Sequence, residues 1–187
     1  MTINSGHGFF DGLVDAKCKD FKMVSSTSAP IFTNLTTFAL SGGDFTLEQT
    51  GYMIASAPFT LTGANNVSIA TKSNTPTPVF GSPAKIECSG DIEISDDCSV
   101  STALFSGPST IKAGKGITIS TNGRLSYCNG NDITGADDID ITVGVGDSNP
   151  SGAYGLSNIT STNGTVTYSA GTSTTGHKIF TQSPLSE

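Results

Sequence analysis

The chain has 187 residues and a net charge of −7, with a pI near 4.6. That balance excludes the clustered basic surface that nucleic acid or an anionic membrane requires, and no apolar run is long enough to span a bilayer. Hydrophobic residues are 35%, aromatics 7% and Trp absent, too lean for a compact globule of this length but sufficient for a thin, stacked core.

In chain order, residues 1–13 precede the first copy of a repeat that occupies 14–170. The opening MTINSGHGFF lacks the charged start and apolar core of a signal peptide. The expectation is retention, signal-free export, or a removed signal replaced by Met1. Phe9 and Phe10 are expected to plug the open end of the repeat array, with a docking arm as the alternative; His7 is read as a tail residue.

The repeat itself is an apolar residue, a small residue two on, a short turn, then apolar–x–apolar. It is degenerate at 15–23 (DAKCKDFKM) and loose at 39–47 (ALSGGDFTL). It is clear at 61–69 (LTGANNVSI), 86–94 (IECSGDIEI), 111–119 (IKAGKGITI) and 133–141 (ITGADDIDI). A last, longer copy lies at 159–168 (ITSTNGTVTY). The apolar residue after each turn gives the anchors Phe21, Phe45, Val67, Ile92, Ile117, Ile139 and Val166, at intervals of 24, 22, 25, 25, 22 and 27 residues. A near-constant period in the low twenties with one strand pattern per copy marks a solenoid. A β-sandwich with evenly spaced hairpins is the competing reading, but sandwiches do not usually repeat one nine-residue pattern at fixed spacing.

Three columns follow from the alignment. The residues before the anchors are Asp20, Asp44, Asn66, Asp91, Gly116, Asp138 and Thr165. All but Thr tolerate a left-handed backbone, so the turns are predicted to use it and the last copy to be distorted. Ser41, Gly63, Cys88, Ala113, Gly135 and Ser161 form a small inward column. Period-2 alternation puts Lys22, Thr46, Ser68, Glu93, Thr118, Asp140 and Thr167 outside. Ice binding would need flat Thr-x-Thr ranks, which the charged members of that column break.

A third wall is predicted at Ile31-Phe32, Tyr52–Ile54, Val79-Phe80, Leu104-Phe105, Leu125–Tyr127 and Tyr154–Leu156. The polar stretches 70–78 and 144–153 are expected to protrude as loops. Residues 171–187 form a polar tail whose apolar residues, Ile179, Phe180 and Leu185, cap the last rung or cross to a neighbouring subunit.

Cys18, Cys88, Cys98 and Cys128 form no CxxC pair, and His7 and His177 lie near the termini, so zinc-site spacing is missing. Reduced core thiols are the expectation, Cys88 foremost; an even count also permits disulfides. The acceptor patterns starting at Asn34, Asn66, Asn158 and Asn163 match by chance in a chain this rich in Ser, Thr and Asn.

Residues about 14–170 resemble the right-handed parallel β-helix superfamily: pectate and pectin lyases, polygalacturonases, and bacteriophage spikes and fibres. The resemblance rests on the units Asn66-Val-Ser-Ile, Asp91-Ile-Glu-Ile, Gly116-Ile-Thr-Ile and Asp138-Ile-Asp-Ile. It implies an all-β, single-stranded right-handed solenoid of about seven rungs, and it implies no function, because the fold carries many.

The enzymes of that group place clustered carboxylates with His, Arg and Lys, or Ca²⁺-binding carboxylates with an Arg base, on successive rungs. Here Asp137 and Asp138 imitate an acid pair, and Arg124 is the one Arg. Asp91, Asp96 and Asp97 are the candidate cation ligands. Asp138, however, sits in the turn column, and no His lies in the seven rungs. The expectation is therefore no catalytic residue, no cofactor and no metal. The expected function is a non-enzymatic structural or adhesive protein on a particle surface. Its most concrete form is a bacteriophage virion protein: capsid decoration, head fibre or tailspike segment. The alternatives are a carbohydrate-active lyase or hydrolase and a bacterial surface adhesin. Expected partners are two further copies in a homotrimer, and other virion proteins or cell-surface glycans. The expected location is the virion or an extracellular surface.

Overall fold

The computed structural model describes residues 2–5, 10–72, 77–97, 103–126, 130–144, 157–170 and 179–182. They form a parallel β-solenoid. Strands are numbered in chain order. One eight-stranded sheet holds β1 (Thr2–Ser5), β3 (Phe21–Ser25), β5 (Phe45–Thr50), β7 (Val67–Lys72), β9 (Ile92–Asp96), β12 (Ile117–Thr121), β15 (Ile139–Val143) and β17 (Val166–Ala170). The other holds β2 (Val14–Cys18), β4 (Thr36–Leu40), β6 (Phe59–Ala64), β8 (Ala84–Cys88), β11 (Thr110–Ala113), β14 (Asn131–Gly135), β16 (Ser157–Ser161) and β18 (Ile179–Gln182). A third wall contains β10 (Ala103–Phe105) paired with β13 (Arg124–Ser126). The first sheet begins each of its seven repeat strands on an anchor, and the second supplies the strand before each turn.

The anchors share one register, Phe21↔Phe45↔Val67↔Ile92↔Ile117↔Ile139↔Val166. Each from Phe21 to Ile139 is at most 2% exposed; Val166, at the end of the stack, is half-buried. The predicted outward column, from Lys22 to Thr167, runs beside it in the same pairings. The same sheet buries a second apolar column, Met23, Leu47, Ile69, Ile94, Ile119 and Ile141, and taking an Ile or Phe side chain out of water is worth about 1.5–3 kcal/mol. The interior changes along the axis. Phe21 and Phe45 stack at 5.0 Å and Phe80 and Phe105 at 5.7 Å, while Ile and Val fill the later rungs.

Three expectations need correction. First, among the described residues no non-glycine has a positive φ, so the Asp, Asn and Thr turn residues do not adopt the left-handed conformation. Accordingly Thr165 distorts nothing: β17 keeps register with β15 over five pairs, Ile139↔Val166 to Val143↔Ala170. Second, the small column contains Leu40 and Ala64, not Ser41 and Gly63. A β-bulge lets Ala64 face Cys88, and Leu40 pairs with Cys18. Gly63 makes the bulge at φ +73°, where a Cβ would lie 2.2 Å from the Leu40 carbonyl oxygen. Third, the wall segment expected at 52–54 runs one residue later: Ile54 lies on the wall, bonded to Phe32 and Val79, and Ala55 follows it in the series Phe10↔Phe32↔Ala55↔Phe80↔Phe105.

Phe10 is thus a third-wall residue, its ring stacked on Phe32 at 5.4 Å; Phe9 lies outside the described residues. The expected loop at 70–78 starts later, since Ala70, Thr71 and Lys72 belong to β7. Tyr127, 145–153, Tyr154–Leu156 and Leu185 also lie outside the described residues. The tail segment β18 runs parallel to β16 of its own chain, Ser157↔Ile179 to Thr160↔Gln182.

Candidate functional site

The residues picked out for chemistry divide between structural positions. Asp137 and Asp138 lie in the turn joining β14 to β15, both exposed. Asp138 Oδ1 accepts the Thr165 backbone N–H at 2.8 Å and the Thr165 hydroxyl at 3.0 Å. The backbone bond first, and the hydroxyl second, hold its carboxyl below the ordinary value. The Asp137 carbonyl accepts the Ser161 hydroxyl at 2.7 Å. Arg124 begins β13, half-buried, level with Ala103. Each rung runs second sheet, turn, first sheet, third wall, so the turn and Arg124 lie on opposite sides of the cross-section. The structure does not bring Arg124 to the Asp pair.

Nor do the candidate cation ligands converge. Asp91 is an exposed turn residue. Asp96 is 2% exposed and points into the coil, accepting Thr71 Oγ1–H at 2.7 Å and Thr121 Oγ1–H at 3.1 Å. Asp97 faces outward, accepting Asn122 Nδ2–H at 2.8 Å with Lys72 Nζ at 3.2 Å. Among the described residues no group of three or more His, Cys, Asp or Glu is placed to hold a metal ion.

What joins these carboxylates is a ladder that the sequence pattern marks without revealing its purpose. Asp44 N–H donates to Asp20 Oδ1 at 3.1 Å, and Asn66 N–H to Asp44 Oδ1 at 3.1 Å. Asp91 N–H donates to Asn66 Oδ1 at 3.1 Å, and Gly116 N–H to Asp91 Oδ1 at 3.0 Å. The carbonyl of each later turn residue also accepts the anchor N–H of the rung before: Phe21 to Asp44, Phe45 to Asn66, Val67 to Asp91, Ile92 to Gly116. Each turn is thus held to its predecessor at two points. Asp and Asn are used here for a short side chain with an acceptor oxygen, the chemistry that also selects them for helix caps. Gly116 has no side chain, so it cannot hand the pattern on to Asp138; Asp138 resumes it with Thr165.

Inside the coil the third inward column of the first sheet is polar: Ser25, Gln49, Thr71, Asp96 and Thr121, in one register and each at most 5% exposed. These positions continue the inward alternation of the strands, and the hydrogen bonds from Thr71 and Thr121 to Asp96 accommodate polar groups there. Gln49 Nε2–H donates to the Thr27 carbonyl at 3.1 Å. A matching column starts the second sheet, where Ser109 N–H donates to Asn131 Oδ1 at 3.1 Å and Asn131 Nδ2–H to Ser157 Oγ at 3.3 Å.

A surface depression of about 360 Å³ lies over the Gly63 bulge, lined by Ala64, Glu87, Cys88 and Lys112 among others. Glu87 is engaged by Lys85 at 3.1 Å. Cys88 is a free, half-buried thiol, its S–H directed at the Gly90 carbonyl at 3.4 Å. Burial, the largest influence, pushes the thiol above its ordinary value. Cys18 is also free and half-buried; Cys98 and Cys128 lie outside the described residues.

No family model, curated protein or solved structure matches this chain.

Proposed function

We propose that this chain is a non-enzymatic structural or adhesive protein displayed on a particle surface, with a bacteriophage virion protein as the concrete form. The observation that carries the reading is what the candidate catalytic and cation-binding carboxylates do. Asp91, Asp96 and Asp138 are each occupied in joining one rung to the next. A general acid or base must instead present its carboxyl to a substrate within hydrogen-bond reach. Outward Ser, Thr and Asn side chains around a stacked core suit a rod that displays a surface. On this reading copies associate as a homotrimer and meet other virion proteins or cell-surface glycans. The resemblance to β-helical spikes supports the same direction.

The test is incubation with polygalacturonate and bacterial surface polysaccharides, with and without Ca²⁺, followed by assay for reducing ends and unsaturated products. The expected result is no release. Turnover that disappears in Asp137→Asn would overturn the reading in favour of a carbohydrate-active enzyme.

A further inference from the structure

The corner leading into the second sheet keeps a constant length over four rungs. Four positions separate Phe10 from Val14, Phe32 from Thr36, Ala55 from Phe59 and Phe80 from Ala84, and these pairs stack in step. The positions before β2, β4, β6 and β8 therefore form a straight column, Leu13, Leu35, Pro58 and Pro83, and Pro108, two positions before β11, continues it level with Pro83. Val14 N–H donates to the Leu35 carbonyl at 3.1 Å, Thr36 N–H to Pro58 at 3.0 Å and Phe59 N–H to Pro83 at 3.1 Å, which fixes the alignment. Leu13 is 69% exposed and Leu35 45%, the large exposed hydrophobics among the described residues. The three prolines beside them are exposed too. Four steps of about 4.8 Å make an apolar ridge about 19 Å long.

We propose that this ridge is a contact surface for a second copy of this chain, laid alongside with its coil axis aligned. Two features single out that occupant. The ridge has the pitch of the coil, so a body with the same pitch can seat side chains along its whole length, and another copy has that pitch by construction. The ridge is also uncharged on a chain of net charge −7, and two acidic copies approach most easily through an uncharged strip. Small residues such as Gly12, Ala57 and Ser82 border it and permit close approach. A ridge this narrow buries less than the roughly 800 Å² per partner of stable complexes, so the association is weak. The proposal rests on the display reading for its setting, where tethering on a shared particle raises the effective concentration.

Sedimentation equilibrium of the full-length chain up to about 1 mM tests it. The wild type should self-associate, and Leu13→Ser with Leu35→Ser should weaken association at least about tenfold. Far-UV circular dichroism and melting temperature should not change, because both side chains are exposed. Pro83→Glu, which brings like charges together at the ridge centre, should do the same, while Thr118→Glu on the first sheet should not. A wild type that stays monomeric throughout overturns the proposal, and with it the homotrimer of the display reading, and leaves its non-enzymatic part standing. Association that both ridge variants leave intact overturns it as well and places the contact elsewhere. Polysaccharide turnover alongside ridge-dependent association would sink the display reading alone.

Discussion

The carboxylate of Asp91 accepts the backbone N–H of Gly116, one rung later, at 3.0 Å. Ile92, the residue after Asp91, donates its own N–H to the Gly116 carbonyl at 3.1 Å. The two bonds clamp a turn whose Gly116 N–H would otherwise be left to water. Asp91→Ala should therefore lower stability by about 0.5–2 kcal/mol, the range for losing a capping acceptor. Asp91→Asn should stay near wild type, because the amide oxygen still accepts. Urea unfolding of the three proteins checks this; equal losses in both variants would mean that charge, not the acceptor, is what matters.

Core and surface positions one residue apart should respond oppositely. Ile117 is 1% exposed, between Ile92 and Ile139, and Thr118 beside it faces outward. Ile117→Ala should cost about 2–5 kcal/mol, and Thr118→Asp should stay within about 0.5 kcal/mol. Thermal melting that leaves Ile117→Asp as stable as wild type would contradict the register.

The bulge makes a backbone prediction. Gly63 has φ +73°, and a Cβ there meets the Leu40 carbonyl. Gly63→Ala should therefore destabilise by more than about 1 kcal/mol. Ser41→Ala, at an exposed neighbouring turn position, should be nearly neutral in the same denaturation assay.

Asp138 makes a pH prediction. Its folded pKa lies below the ordinary 3.8 because Thr165 donates to the ionised form. A depressed folded pKa contributes stability above the unfolded value, and that contribution is lost as pH falls through the folded one. Wild type should melt above Asp138→Asn at neutral pH, and the gap should close only below the ordinary carboxylate range. A gap that is flat with pH would show that the bond does not depend on ionisation. The Cys88 thiol, raised by burial, should react with iodoacetamide more slowly in the folded protein than in urea at pH 8, since the thiolate is the nucleophile.

The anchors are legible in the sequence because a solenoid uses one side-chain position in the same way at every rung. Ile92, Ile117 and Ile139 align on residue spacing alone, and so does the outward column. The turn column is equally visible, yet its chemistry is not. Asp and Asn suit both a left-handed backbone and an acceptor role, and only the φ values and the Asp44–Asn66 bond separate the two. The Gly63 bulge stays hidden because a residue spacing counts an inserted residue without saying which one loops out. Asp96 reads as an exposed ligand because a carboxylate is rarely buried; the Thr71 and Thr121 hydroxyls that receive it stand 25 residues away on either side. The apolar ridge depends on the constant four-residue corner, which becomes apparent only once Ala55 is aligned with Phe32 and Phe80.

The central claim is that consecutive rungs stack in this one register, and disulfide trapping tests it most directly. Glu93 and Thr118 are paired neighbours on adjacent strands, at about the 4.8 Å separation a disulfide can bridge. Glu93 and Asp140 stand two rungs apart, at about 9.6 Å, beyond that reach. With the four native cysteines replaced by Ser, Glu93→Cys with Thr118→Cys should oxidise to an intramolecular disulfide, and Glu93→Cys with Asp140→Cys should not. Efficient closure of the second pair, or failure of the first in a folded protein, would contradict the account.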